Sequence, residues 1–485
     1  LILYNPQGIP EPNLAEHYEI NPDGKIYTVT LRENLLWHDG HPLEADDVVF
    51  TILLIQNALY KSPLRPNWQG VKVEEIDRRT IRFTLRSPYA PFIENLTVGI
   101  IPKHLWEGVT PEQVPLHELG LQPIGSGPYV FSKIAHTNDG SLAAYFLKRN
   151  PLYYREGPYI RTIEFAFFAN EDELLNEWHR GRIDGFGPAS SAMLSTIESY
   201  GAVAHAIQMP RVFGLFFNQK KAAPLADHTV REAIVRAIDK NRLANEGALG
   251  GGIPLNFPLP FFDNEDKSVD DSTELFNPQA SRTLLEQAGW KDMDNDGVRE
   301  KTTRQSGKNI TMRLEFTLTT SDWPELLRSA ELLRTMLAEI GIAIIIEKKT
   351  FAELESAYIR PRNFQILLFG QVYGYEPDPF AFWHSSQSRD PGLNVAQYAN
   401  TKADTLLEDA RVTNDHALRR EKLSNFAKIL DNDIPAIALF SQLYLYVMPQ
   451  NMKGAEFQKI SLPADRFNNT PQWYLQTKRA LGAAE

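Results

Sequence analysis

Apolar and polar residues alternate from Lys25 to Arg32 (KIYTVTLR), with β-branched and aromatic types among them, which predicts a half-buried strand. It lies between two turn signals, Asn21-Pro22-Asp23-Gly24 and Asp39-Gly40. From Pro42 to Leu59 the spacing becomes helical, with Val48, Ile52 and Ile55 on one face and acidic residues in the first turn, where the dipole favours them. Strands follow at Val71 to Ile76 and Thr80 to Leu85, and Pro102 to Leu105 reads as a helical turn. Ile163 to Phe168, Glu171 to Arg180 and the turn Gly181 to Gly185 form a strand, a helix and an entry into a further strand, a β-α-β pattern. A second such pattern runs through strand Thr311 to Leu318, an amphipathic helix Pro324 to Ile340 closed by Gly341, and strand Ile342 to Glu347. Phe213 to Asn218 and Phe364 to Phe369 are apolar runs without helical spacing, suited to strands buried on both faces.

Composition changes this picture in three ways. With 485 residues, 43% of them hydrophobic, the chain can bury more than one core, so two or three domains are expected. A net charge of −11 without a basic stripe argues against a nucleic-acid partner. Zero cysteines exclude disulfides, thiolate metal sites and cysteine nucleophiles, and no apolar run approaches membrane-spanning length. The first residues, Leu1 to Tyr4 and the turn Asn5-Pro6-Gln7-Gly8, lack the pattern of a signal peptide and read as mid-domain sequence.

Candidate chemistry concentrates after Phe369. Gly370, Gln371, Val372, Tyr373, Gly374, Tyr375 and Glu376 form an aromatic, polar, glycine-hinged loop at the end of a buried strand, where open α/β sheets place ligands. Phe217 and Asn218, at the end of another apolar strand, are further candidates, with Asn394 and Tyr398 behind them. No catalytic residue is assigned. His38, Asp39, His41, Glu44, Asp46 and Asp47 lie close together, yet no pair of histidines shares a helix face, and no metal is assigned there. Asp292, Asp294 and Asp296 followed by Gly297 match the opening of a calcium loop, but its twelfth position is Thr303 and not a bidentate Glu, so a solvated turn is the preferred reading. Nucleophile-elbow, zinc-protease and phosphate-loop motifs are absent, while plentiful acidic residues leave an extracytoplasmic hydrolase open as the enzyme-class alternative.

Several motifs in order carry a resemblance. They are Asp23-Gly24-Lys25-Ile26-Tyr27, Trp37-His38-Asp39-Gly40 running to Phe50, Gly125-Ser126-Gly127-Pro128-Tyr129, Arg149-Asn150-Pro151-Leu152-Tyr153-Tyr154, Val230-Arg231-Glu232-Ala233-Ile234, Ala288-Gly289-Trp290, Asp465-Arg466-Phe467 and Trp473-Tyr474. Together they resemble the family 5 extracytoplasmic solute-binding proteins, which serve ABC importers of oligopeptides, dipeptides and nickel. The resemblance implies an α/β, two-lobed periplasmic-binding-protein fold (type II, Venus-flytrap) with an extra inserted α+β domain. On that pattern residues 1–155 are mainly the extra domain, 156–255 and 450–485 a discontinuous first lobe lacking its N-terminal part, and 256–449 the second lobe. The Gly- and Pro-rich stretch from Gly247 to Pro260 is the expected crossing segment.

What the resemblance implies for function is a non-enzymatic, cofactor-free, extracytoplasmic monomer. It would capture a peptide ligand between its lobes and deliver it to an ABC permease in the membrane. A nickel or metal-chelate ligand is the alternative within the family. Peptide binders of the family commonly carry an Asp for the ligand's ammonium in the loop equivalent to Gly370 to Glu376. Here Tyr373 or Gly374 takes that place, with Glu376 as the expected substitute and Asp378 expected to cap the helix that begins near Phe380.

Overall fold

The computed structural model describes residues 1–189, 193–248, 251–259, 276–305 and 308–476. Its contacts divide the chain into two compact units, one of Leu1–Gly187, Thr196–His205 and Tyr446–Glu485, the other of Pro188–Ser195 and Ala206–Leu445.

In the first unit the expected alternation forms a four-stranded antiparallel sheet, ordered Ala15–Ile20, Ile26–Leu31, Thr80–Thr84, Lys72–Asp77. Tyr27, Val29 and Leu31 are fully buried against the helix Ala45–Gln56, whose Val48 and Ile52 are equally buried, as the period-two and period-3.6 patterns require. Asp47 does more than favour a helix start. Buried itself, it accepts hydrogen bonds from the backbone N–H of Glu44 (3.0 Å) and Lys103 (2.8 Å) and from the Trp37 indole (3.2 Å). Burial pushes its carboxyl up, against those donors.

The expected β-α-β unit near residue 170 has a different form. Thr162–Ala166 pairs antiparallel with Leu142–Arg149, which pairs with Tyr129–His136, and the segment after helix Glu171–His179 contributes the isolated bridge of Phe186 to Val447 in place of a parallel strand. The local pattern names the first strand and the helix correctly but not the second strand, because strand partners are set by distant residues.

The second unit contains the true parallel crossover. Glu315–Ser321 and Ala343–Lys349 pair in parallel, joined by the helix Pro324–Ala338, and Glu315–Ser321 also pairs in parallel with Ile366–Val372. Antiparallel partners complete the sheet: Ile366–Val372 lies beside Arg211–Phe217, which lies beside Ala436–Pro449. One core packs Leu215, Phe316, Leu318, Ile366 and Leu368 against Leu333 and Leu337 of the crossover helix. The opposite core packs Phe216 and Leu367 against Trp383, Phe426 and Leu430. These strands are buried on both faces, as their continuous apolar runs predict. Of the expected crossing segment, residues 249–250 and 260 lie outside the described residues, and Gly252–Pro254 pairs with Ala436–Pro449.

Candidate functional site

The apolar run ends at Phe369, but the strand continues to Val372. Gly370, Gln371 and Val372 pair with Phe213, Val212 and Arg211, so a tertiary partner extends the strand into what the sequence reads as loop. Gly370 is not a hinge. A Cβ there would lie 2.9 Å from the Phe213 ring, and only glycine permits that approach.

The end of this strand has an open side. The N–H of Tyr373 donates to the carbonyl of Pro210 at 2.8 Å, and strand backbone groups alternate in direction, so Gly370 and Val372 turn theirs to the other edge. On that edge the parallel ladder stops at the Thr320 and Leu368 pair. The last residues therefore carry donors and acceptors past the end of their neighbour. Val372 is 58% exposed.

Beside this edge the C-terminal ends of three parallel strands bring aromatic rings together. Trp323 and Phe351 stack nearly parallel, with centroids 6.1 Å apart, and Phe351 is 6.1 Å from Phe369. Trp323 and Phe351 are each almost half exposed, so the trio forms an apolar shelf facing solvent within the unit. Below it Glu347 accepts from the Tyr358 hydroxyl (2.9 Å) and pairs with Lys349 (3.2 Å). Sequence reasoning misses Trp323 and Phe351. A signal for them exists: each is a large aromatic just after a strand of the crossover.

The loop residues have other employments. Trp383 Nε1 donates to the Tyr373 hydroxyl (3.2 Å), which donates to Gln371 Oε1 (3.1 Å). Tyr373 is 4% exposed, and burial holds its hydroxyl well above its ordinary pKa, so it stays neutral. This chain of bonds ends at Gln371 Nε2, buried and without a partner among the described residues. Glu376, expected to receive an ammonium, is bound to the buried Arg419, whose guanidinium also donates to the carbonyl of Pro377 at 2.8 Å. Asp378 accepts from the N–H of Phe380 (3.3 Å) and from Arg411 (3.0 Å), while the cap position of helix Phe380–Trp383 itself is Pro379, one residue later than expected. Gly374 and Tyr375 are half-buried on the turn between these groups.

The candidates outside the loop sit inside the unit. Phe217 is fully buried. Asn218 donates to the carbonyl of Arg362 (2.9 Å) and accepts from the N–H of Lys220 and Lys221, which folds the turn after its strand. Asn394 Nδ2 lies 2.9–3.2 Å from the carbonyls of Trp383, His384 and Tyr398. The Tyr398 hydroxyl donates to Asp433. Placed so, Asn218 and Asn394 satisfy buried backbone groups rather than present amides to an open surface.

The profile of the bacterial extracellular solute-binding proteins, family 5 (middle region), matches residues 10–394. The chain belongs to that family. It is 26% identical over 471 residues to the oligopeptide-binding protein AppA of Bacillus subtilis, covering 96% of this chain and 83% of AppA. The structure of Bacillus subtilis AppA in complex with a nonapeptide superposes with a TM-score of 0.71 at 25% identity, over 98% of this chain and 92% of that one. NikZ of Campylobacter jejuni, in complex with Ni(L-His), superposes with a TM-score of 0.73 at 25% identity, over the same shares. The two-lobed periplasmic-binding-protein fold of family 5 is thereby the fold of this chain.

The motifs that carry the family resemblance hold each unit together. His38 Nδ1 accepts from the N–H of Gly125 (3.1 Å) and Nε2 reaches the carbonyl of Gly127 (3.2 Å), clasping two motifs, while burial lowers its pKa. Arg231 is buried with its guanidinium on the carbonyls of Leu225, Asp433 and Ile434, tying one helix start to another helix end. Trp290 is 1% exposed. One grouping is only half visible in the sequence, where Asp39 and His41 are neighbours but His104 is distant: Asp39 accepts from His104 Nε2 (2.8 Å) and His41 Nδ1 (3.3 Å), whose rings stack, and these three could together hold a metal.

Proposed function

We propose that this chain is the solute-capturing component of an ABC importer and that its solutes are peptides. The observation that carries the reading is the edge of Gly370 to Val372, which outruns its parallel neighbour beside the shelf of Trp323, Phe351 and Phe369. A peptide in extended form adds a strand to such an edge, its main chain supplying affinity and its alternate side chains falling on the shelf. The nonapeptide held by AppA, the relative that this chain matches over most of its length, supports the same ligand class. Since Glu376 and Asp378 are matched to Arg419 and Arg411, the loop holds the ligand through its backbone and not through its ammonium.

The protein acts outside the cytoplasm, as a monomer, without catalysis and without a cofactor, and hands its ligand to a membrane permease. Among the described residues no helix is long and apolar enough to cross a membrane. The test is a thermal-shift screen against peptides of two to nine residues, repeated on Val372→Pro and Trp323→Ala. Proline removes an N–H from the edge at a position where strand ends tolerate it. Peptides that stabilise the parent protein should stabilise the two variants less, and equal shifts in all three would reject the edge as the binding element.

A second reading is a nickel or metal-chelate ligand, favoured by the superposition on NikZ. Elemental analysis of protein purified without added metal separates the two, since stoichiometric nickel would replace the peptide reading.

A further inference from the structure

We propose that the loop from Asp292 to Glu300 is a calcium site. Asp292, Asp294 and Asp296 alternate, Gly297 follows with φ +89°, and the structure adds the residue that the sequence pattern leaves out, Glu300 at the ninth position. One oxygen from each of Asp292, Asp294 and Glu300 lies within 4.8 Å of the other two. Three oxygens that share one calcium at the usual distance of roughly 2.3–2.6 Å are at most about 4.5 Å apart from one another, so the three need at most a closing movement of a few tenths of an ångström to meet on one ion.

Glu300 supplies the independent observation. It is 5% exposed, its Oε1 accepts from the N–H of Met293 (2.8 Å), and its Oε2 is buried without a hydrogen-bond partner among the described residues. A buried carboxylate oxygen left bare is costly, and a cation drawn in by the neighbouring carboxylates would satisfy it. Arg313 is not that cation: it pairs with Asp294 and Asp296, at the exposed rim, and neither Asp292 nor Glu300 forms an ion pair among the described residues. The donors are all oxygens, with no imidazole and no thiolate, which suits a hard ion. Carboxylates alternating along a loop, with irregular geometry, suit calcium better than magnesium, which demands a near-octahedral shell.

The loop departs from a helix-flanked calcium loop in running into strand Glu300–Gln305, so Glu300 closes the site and Thr303, in that strand, does not. Both ends are already fastened. Lys291 and Glu300 exchange backbone hydrogen bonds, and Arg299 donates to the carbonyls of Trp290 (2.9 Å) and Ile340 (2.9 Å). An ion there would clamp the segment after Trp290 to the hairpin that precedes strand Glu315–Ser321, bracing the second unit in a calcium-bearing exterior.

The experiment uses the whole chain, stripped with EDTA, dialysed and titrated with calcium chloride while bound calcium and melting temperature are followed. The expected result is one ion per chain with a dissociation constant on the order of 10⁻⁴–10⁻³ M, as in other extracellular modules. The melting temperature should rise with occupancy, and magnesium should bind at least about tenfold more weakly. Glu300→Gln should abolish binding. Because replacing a buried residue can unsettle the fold, Asp292→Asn, at an exposed position, is the second variant, and it should weaken binding by about tenfold or more. No calcium bound at several millimolar, or binding unchanged in Asp292→Asn, would overturn the site.

Discussion

Two acidic loops of the second unit, built from the same residue types, settle their charge in opposite ways. In the loop after Val372, Glu376 and Asp378 each face an arginine of their own, Arg419 and Arg411, and the Glu376 and Arg419 side chains are 12% and 7% exposed. In the loop after Trp290, four carboxylates stand against Arg313, which reaches two of them. The first loop is neutral before any ligand arrives, so what it offers is backbone and apolar surface. The second is complete only with an ion from outside.

Breaking the closed loop should have the largest effect. Arg419→Leu leaves Glu376 buried without its partner and should cost about 3–5 kcal/mol in urea unfolding, most of it recovered when Glu376→Gln is added. A loss under about 1 kcal/mol would dissolve the contrast, since exposed pairs contribute that little. Next comes calcium. At about 100 times its dissociation constant a ligand bound only by the native state adds about 2.7 kcal/mol, and EDTA should remove that increment while leaving the cost of Arg419→Leu unchanged. An unfolding curve insensitive to EDTA would contradict this.

The pH dependence sharpens the comparison through two further acids. Burial pushes Glu347 up, but hydrogen bonds from Tyr358 and Lys349 outweigh it and leave the carboxyl below its ordinary range. Asp433 is likewise lowered, burial being overcome by donors from Tyr398, Asn400 and Asn432. A depressed carboxyl stabilises the fold at pH above its unfolded value, about 4, and that contribution is lost as pH falls through the lower folded value. Glu347→Gln should therefore shallow the loss of stability on acidification below about pH 4, and an unchanged acid limb would remove Glu347 from the set of matched charges. The smallest expected effect is on the ligand's own terminus. Acetylating a bound peptide's N-terminus should change affinity by less than about twofold, under 0.5 kcal/mol, because the loop's acids are already matched. A tenfold loss on acetylation would place an ammonium anchor at some other acid.

Much of the fold is legible in the chain itself. The alternation of Lys25 to Arg32 becomes strand Ile26–Leu31, and the β-α-β pattern around Pro324 becomes the parallel crossover, because each is written in local periodicity. The strand edge and the loop after it are less legible. Gly370 reads as a hinge by its neighbours in sequence, whereas its cause is the Phe213 ring, a residue far away along the chain. Trp323 and Phe351 join only when two strand ends lie side by side, and Glu376 has the look of an anchor except where Arg419 lies against it. In the acidic loop the three aspartates are plain, while the meaning of Glu300 lies in its burial, which spacing does not display.

The most direct test of peptide capture is native mass spectrometry of the protein purified from cells grown in peptide-rich medium, without refolding. The expected result is a chain carrying added mass that denaturation releases as peptides, with less of it retained by Val372→Pro. A chain that carries nickel in stoichiometric amount, or no peptide from any medium, would contradict it.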